Sequence, residues 1–245
     1  MSTLRTSPRA RISAPLSSLD FFLPGHYNGV MSNKILPPAL AGDETEWSAE
    51  RLLEAFRNEE RAECARIAVQ LPGARFEGAE FAQVYFSECR FAGADFARAD
   101  FCDAAFENCD FSNASFRGAS FRRVRFSGCK GVGADLSESF LRDAVFERCA
   151  FSYSNLSEAK LSDALLSESD FAEADLSSCR LQGVRFSKTK FARASFFRTP
   201  LRGTDLSGCD ISGITLSADL SEMRGARISL LQALSLIHIS EPTRP

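Results

Sequence analysis

The chain has 245 residues, of which 44% are hydrophobic and 25% charged, with a formal net charge of −3. That balance excludes an intrinsically disordered chain and offers no bulk positive charge for holding nucleic acid. No run approaches the roughly 18 consecutive apolar residues of a membrane span, and the first residues lack the apolar core of a secretory signal, so a soluble, cytoplasmic protein is expected.

Residues 1–42 read as an unstructured leader. Up to residue 30 they are rich in Ser, Arg and Pro without periodicity, and Met31 opens a more ordinary-looking start. An over-extended start is the expectation, with an organelle transit peptide as the alternative. Residues 43–73 are expected to form a helical N-terminal cap. Trp47, Leu52, Leu53 and Phe56, then Cys64, Ile67 and Ala68, stand among Glu and Arg at spacings that suit one or two amphipathic helices, with Ser48 as N-cap.

From Phe76 to Leu216 every fifth residue is apolar except Gly131, over 29 positions. The run opens with Phe76, Phe81, Phe86, Phe91, Phe96, Phe101, Phe106, Phe111, Phe116, Phe121 and Phe126. It continues through Leu136, Phe146, Phe151, Leu176, Phe186, Phe191, Phe196 and Leu206, and these residues form the expected core. Two residues before each large position stands a small one, Ala, Cys, Ser or Thr in 25 of the 29 units. In extended backbone residues two apart share a face, so each unit turns one small and one large side chain inward before the chain bends. A period of five fits neither a helix at 3.6 nor a plain strand at 2. Repeated with one hand, such sides wind a β-solenoid over residues 74–218, in which each coil satisfies the backbone of its neighbours. At the small position Cys89, Cys109, Cys129 and Cys149 recur every 20 residues, with Ser169, Thr189 and Cys209 continuing the phase. Twenty residues is four sides per coil, and about seven coils at ~4.8 Å give a rod of about 35 Å.

The units Ala94-Asp95-Phe96, Ala134-Asp135-Leu136 and Ala174-Asp175-Leu176 resemble the pentapeptide-repeat family. That resemblance implies an all-β fold, a right-handed quadrilateral β-helix with stacked Phe and Leu inside. Residues 219–233 are expected to begin a C-terminal cap. The stretch Met223–Ala233 shifts the repeat phase by two and resembles the cap of the quinolone-resistance type within the family. For that type the resemblance implies a DNA-mimicking protein that binds DNA gyrase, and a C-terminal helix that forms a homodimer contact. Residues 234–245 include LSLIHISEPTR, which resembles the translated read-through of a sequencing adapter. They are expected not to be native, so the helix would be cut off and this chain is not expected to dimerise.

Catalytic chemistry lacks its residues. The two histidines are His26 in the leader and His238 in the tail, and no CxxC pair, phosphate loop or HExxH stretch occurs. Asp170 and Asp175 fall on neighbouring outer sides with no pocket expected between them, so no enzyme activity, cofactor or metal is expected. Function must then lie on the outside, and a protein partner is expected rather than nucleic acid or membrane, DNA gyrase being the one the resemblance implies. Net charge along the repeat runs −5 over 74–111, +5 over 112–130, −7 over 131–179, +7 over 180–204 and −2 over 205–218. Because sequence maps to height in a solenoid, these are bands around the rod. The basic bands weigh against a continuous DNA-like surface and favour a protein-interaction scaffold. Phe140, Val145 and Leu165 are apolar at outward middle positions, with Val145 and Leu165 one coil apart, and are the candidate partner-binding residues. Gly131 should leave a gap that a neighbouring ring fills or that bends the rod. Pro200 should fall where the ladder is already interrupted. Six of the eight cysteines occupy the small inward slot, as packing in a reducing compartment permits. Denatured protein titrated without reductant should therefore release eight thiols, and a count far below eight would mean disulfides.

Overall fold

The computed structural model describes residues 35–42 and 44–240, with backbone only for residues 237–240. Most of the expected leader, including His26, lies outside the described residues. Strand β1 (Thr45–Trp47) is followed by helix α1 (Ala49–Arg57) and strand β2 (Ala62–Ile67). Strands β3 (Glu80–Ser87), β4 (Asp100–Glu107), β5 (Ser120–Ser127) and β6 (Phe140–Glu147) each cover two successive sides. The same two sides continue as β7 (Lys160–Ser162) with β8 (Leu165–Ser167), then β9 (Arg180–Gln182) with β10 (Arg185–Ser187). All pairings are parallel, and Phe81↔Phe101↔Phe121↔Leu141↔Leu161 fixes the register at twenty residues per coil. The other two sides are held by single bridges such as Asp95↔Ser115 and Asp110↔Lys130. The molecule is a four-sided β-solenoid.

From Gly73 to Gly203 each corner turns at the second residue after the large one, which takes positive φ, as at Asp103 (56°) and Glu138 (59°). On the third and fourth sides the corner is a hydrogen-bonded turn, Ala94 N–H to Phe91 O at 2.9 Å and Ala99 N–H to Phe96 O at 3.1 Å. The outward Asp or Asn supports it. Asp95, Asp110, Asp135, Asn155, Asp170 and Asp175 each accept the N–H two residues on through Oδ1, at 2.9–3.0 Å. The recurrent acid is thus a turn residue first and a surface charge second.

All nineteen core residues named from the sequence are buried, the most exposed being Phe186 at 8%. Rings one coil apart stack, with centroids 4.7 Å apart for Phe86–Phe106 and Phe106–Phe126. Rings on adjacent sides meet edge to face, as in Phe91–Phe96 at 5.2 Å and 88°. Each such pair contributes ~0.5–1.5 kcal/mol beyond the area it buries. The eight cysteines are all free thiols. In the ladder, Cys109, Cys129 and Cys149 donate to the carbonyls of Phe86, Phe106 and Phe126 at 3.4–3.6 Å, and Thr189 donates to Leu166 O at 2.9 Å. The slot therefore takes a small side chain with a proton to give. Burial pushes the Cys179 thiol up to about 12.

At the N-terminal end the structure departs from the expected helical cap. Only Ala49–Arg57 is helical, begun by Ser48, whose Oγ accepts from Arg51 N at 3.2 Å. Cys64 and Ile67 lie in strand β2, so no second helix forms. The solenoid starts a coil earlier than residue 74, because β2 pairs with β3 and β1 pairs with β2 at Trp47↔Ile67. This first coil is one residue short: Ile67 lies opposite Phe86, nineteen on, whereas Gln70 lies opposite Arg90, twenty on. Helix α1 covers its open end, burying Leu52 and Ala55 and setting the Phe56 ring edge-on to Phe76 at 5.7 Å.

The C-terminal end closes with a shifted register, Asp205↔Arg227 being 22 residues apart. Buried Glu222 stands in for a missing coil. Its carboxylate accepts Arg198 N–H at 2.8 Å and Ser217 N–H at 3.1 Å, while its own carbonyl accepts Leu201 N–H at 2.8 Å. Helix α2 (Leu230–Ser240) follows and takes in the first residues of the adapter-like stretch. Ser229 and Gln232 cap it reciprocally, and Gln232 Nε2 also donates to Leu206 O and Cys209 O at 2.9 and 2.8 Å. Pro200 follows β9, where the strand column of its side ends.

At Gly131 the neighbouring ring fills the gap: a Cβ there would lie 2.3 Å from the Phe151 ring. Gly131→Ala should therefore cost about 1–3 kcal/mol by overpacking, read as a lower denaturant midpoint at unchanged m. An unaltered midpoint would mean that Phe151 does not occupy the slot. Burial raises the Glu222 carboxyl, but its hydrogen bonds prevail and hold it below the usual carboxylate range. A depressed folded value gives stability that is complete above the unfolded value of about 4.3 and is lost as pH falls through the folded one. Glu222→Gln should cost about 1–3 kcal/mol at neutral pH and flatten the loss of stability below about pH 4.3. A variant with the wild-type pH profile would remove Glu222 from that role.

Candidate interaction surface

Ion pairs between neighbouring coils explain the charge bands. Every cation of the 112–130 band faces an acid one coil away: Arg117–Glu138, Arg122–Asp100, Arg123–Asp103, Arg125–Glu147 and Lys130–Asp110. That band is spent on its neighbours and presents no open basic ring. In the 180–204 band, Lys188 pairs with Glu168 and Arg193 with Glu173. Such exposed pairs are worth ~0–1 kcal/mol each, so their main effect is on the field outside the coil.

The outward column of the second side reads Tyr85, Ala105, Arg125, Val145, Leu165 and Arg185. Val145 and Leu165 are partners in register and half-buried, with a guanidinium on either flank. Phe140 opens β6 on the first side, 48% exposed, with Lys160 Nζ 4.5 Å above its ring centre. The corner of β6, Asp143, separates it from Val145. The three sequence-selected residues therefore lie on two adjacent sides around one corner, rather than in a single column. Helix α2 adds a second exposed apolar set, Leu230, Leu231 and Leu234.

The fourth side differs. Its outward column reads Arg75, Asp95, Ser115, Asp135, Asn155, Asp175, Ser195 and Thr215, with no cation beyond Asp95. Asp170 and Asp175 serve their own corners on different sides, so the structure does not join them into an acid–base pair. Among the described residues no group of three or more His, Cys, Asp or Glu side chains is placed to hold a metal.

Sequence reasoning missed one region. Residues 35–42, read as part of an unstructured leader, lie along the corner between the first two sides. Leu36 N–H donates to Asp143 Oδ1 at 3.1 Å, Ala39 N–H donates to Asp103 Oδ1 at 2.9 Å, and Gln83 Nε2 donates to Ala39 O at 3.1 Å. The available signal was Pro37-Pro38 followed by an apolar stretch outside the Ser- and Arg-rich region.

Fold and surface together define a repeat solenoid whose buried face is structural and whose variable face points outward. The chain belongs to the pentapeptide-repeat family: a pentapeptide repeat region matches residues 99–176, and pentapeptide repeats in eight copies match 70–104, 169–208 and 179–217. No curated protein matches it. Among solved structures it is similar to a trypsin-treated form of QnrB1, a plasmid-mediated fluoroquinolone resistance protein, at 22% identity over 76% of this chain and 91% of that one, with a TM-score of 0.38. It is also similar to HetL, involved in heterocyst differentiation regulation in the cyanobacterium Nostoc, at 18% identity over 74% of this chain and 94% of that one, with a TM-score of 0.26. A third is Rfr23 from the cyanobacterium Cyanothece, at 16% identity, 74% and 98% coverage, and a TM-score of 0.21.

Proposed function

We propose that the protein is a non-catalytic, cytoplasmic scaffold that docks a protein partner on its first two sides. The observation that carries this reading is the pairing of Val145 with Leu165, an apolar contact surface framed by Arg125 and Arg185, with Phe140 across the corner. Apolar side chains in adjacent coils, rimmed by guanidinium groups, are the composition of a small protein-binding centre.

A second reading, a gyrase-binding DNA mimic, draws on the cation-free column from Asp95 to Thr215. Its acids recur every second coil, about one charge per 9.6 Å, whereas duplex DNA carries one per about 1.7 Å. The column alone is therefore a dilute imitation, and the reading stands second.

Val145→Ser with Leu165→Ser should remove partner species from quantitative capture out of cell extract while leaving the solenoid's circular dichroism intact. Equal capture by both proteins would dispose of the patch. Purified protein at micromolar concentration should leave gyrase supercoiling unaffected with and without fluoroquinolone. Inhibition or drug protection would promote the second reading over the first.

A further inference from the structure

The segment Ile35–Gly42 meets the solenoid in a way that goes beyond one accidental contact. Gln83, Asp103, Arg123 and Asp143 are equivalent corner positions in four successive coils, between the first and second sides. Asp103 and Asp143 are 7% and 8% exposed, unusual burial for a carboxylate on the outside of a solenoid. Arg123 fixes Asp103 from the intervening coil, Nε to Oδ1 at 2.6 Å and Nη2 to Oδ2 at 2.5 Å. Asp103 thus presents Oδ1 to Ala39 N–H from a held position, and Asp143 presents its own to Leu36 N–H.

The spacing follows from two repeats that match. Pro37 and Pro38 hold φ near −65°, and each restricts the residue before it to extended backbone, so the segment favours polyproline II. That helix has three residues per turn and rises about 3.1 Å per residue, so N–H groups three apart point the same way and lie about 9.3 Å apart. Two coils of a parallel solenoid span about 9.6 Å. One turn of polyproline II therefore advances by two coils, and donors three residues apart meet carboxylates two coils apart. The intervening residues are both prolines, which have no N–H, so every backbone donor from Leu36 to Ala39 is bound. Gln83, one coil below Asp103, takes the next available carbonyl, that of Ala39, at 3.1 Å.

We propose that this corner is a docking groove for extended, proline-containing protein segments, read through backbone N–H groups three residues apart, and that the chain's own Ile35–Gly42 occupies it as an internal ligand. A partner segment with the same donor spacing displaces that occupant. Side-chain identity enters only through the half-buried positions Ile35, Pro38 and Leu40, so the groove selects conformation before sequence. The inference deepens the scaffold reading by naming a partner class. The assay below reads the first corner alone, so its outcome is separate from that of the Val145 and Leu165 substitutions.

The probe is a fluorescein-labelled peptide of residues 35–42, followed by anisotropy against the full-length chain. Leu36→Pro with Ala39→Pro removes both donors from the internal segment and leaves the coils untouched, which circular dichroism checks. This variant should bind the peptide at least ten-fold more tightly than the wild type, whose groove is filled. A peptide N-methylated at the positions of Leu36 and Ala39 should bind at least ten-fold more weakly. Adding Asp143→Asn, which keeps a residue tolerant of positive φ, should weaken binding by a similar factor. Hydrogen exchange on the wild type should show protected amides at Leu36 and Ala39. Equal binding of both peptides, no binding to the donor-free variant, or unprotected amides would each overturn the proposal.

Discussion

The structure depends on the fact that a five-residue side has room for one large and one small side chain inside, and for no backbone pairing within itself. Apart from the groups closed in the corner turns, each N–H and C=O finds its partner in the coil above or below. That requirement forces every side to repeat at the same height, and so brings like residues into columns: phenylalanine over phenylalanine, thiol over thiol, aspartate over the next turn's amide. Stacked rings lie 4.6–5.8 Å apart, the shortest of them close to the coil spacing. The two ends, where a coil has no neighbour, call for separate devices. Helix α1 supplies apolar cover at one end, and buried Glu222 with half-buried Gln232 supplies acceptors and donors at the other.

The same columnar rule shapes the exterior. A charge on one coil sits about 4.8 Å from the equivalent position on the next, so opposite bands neutralise one another where they meet. Read along the chain, the 112–130 segment is a basic band; in three dimensions its five cations each face a neighbouring acid. What remains outward is more local, namely an apolar pair on the second side, an acidic line on the fourth and a filled groove at the first corner.

The repeat was legible because its constraint is local and uninterrupted. From Leu71 onward each unit repeats the same small and large residues, and Gly131, with the Phe151 ring in its place, is a substitution inside the pattern. The first coil was hidden because one residue is missing between Ile67 and Gln70. A single deletion shifts the five-residue phase, so Ile67 looked like part of an amphipathic helix although it pairs with Phe86. The docked segment was hidden for another reason: its partners, Asp103 and Asp143, are 64 and 107 residues away, and its own contribution is backbone N–H, which every sequence carries.

By itself the sequence determined the period, the number of sides and the identity of the core, because each follows from residues five or twenty apart along one chain. Only the tertiary structure decided which charges cancel, how the ends close and where Ile35–Gly42 lies. Those outcomes depend on distances between coils and between a segment and a groove, and such distances leave no periodic trace in the order of residues.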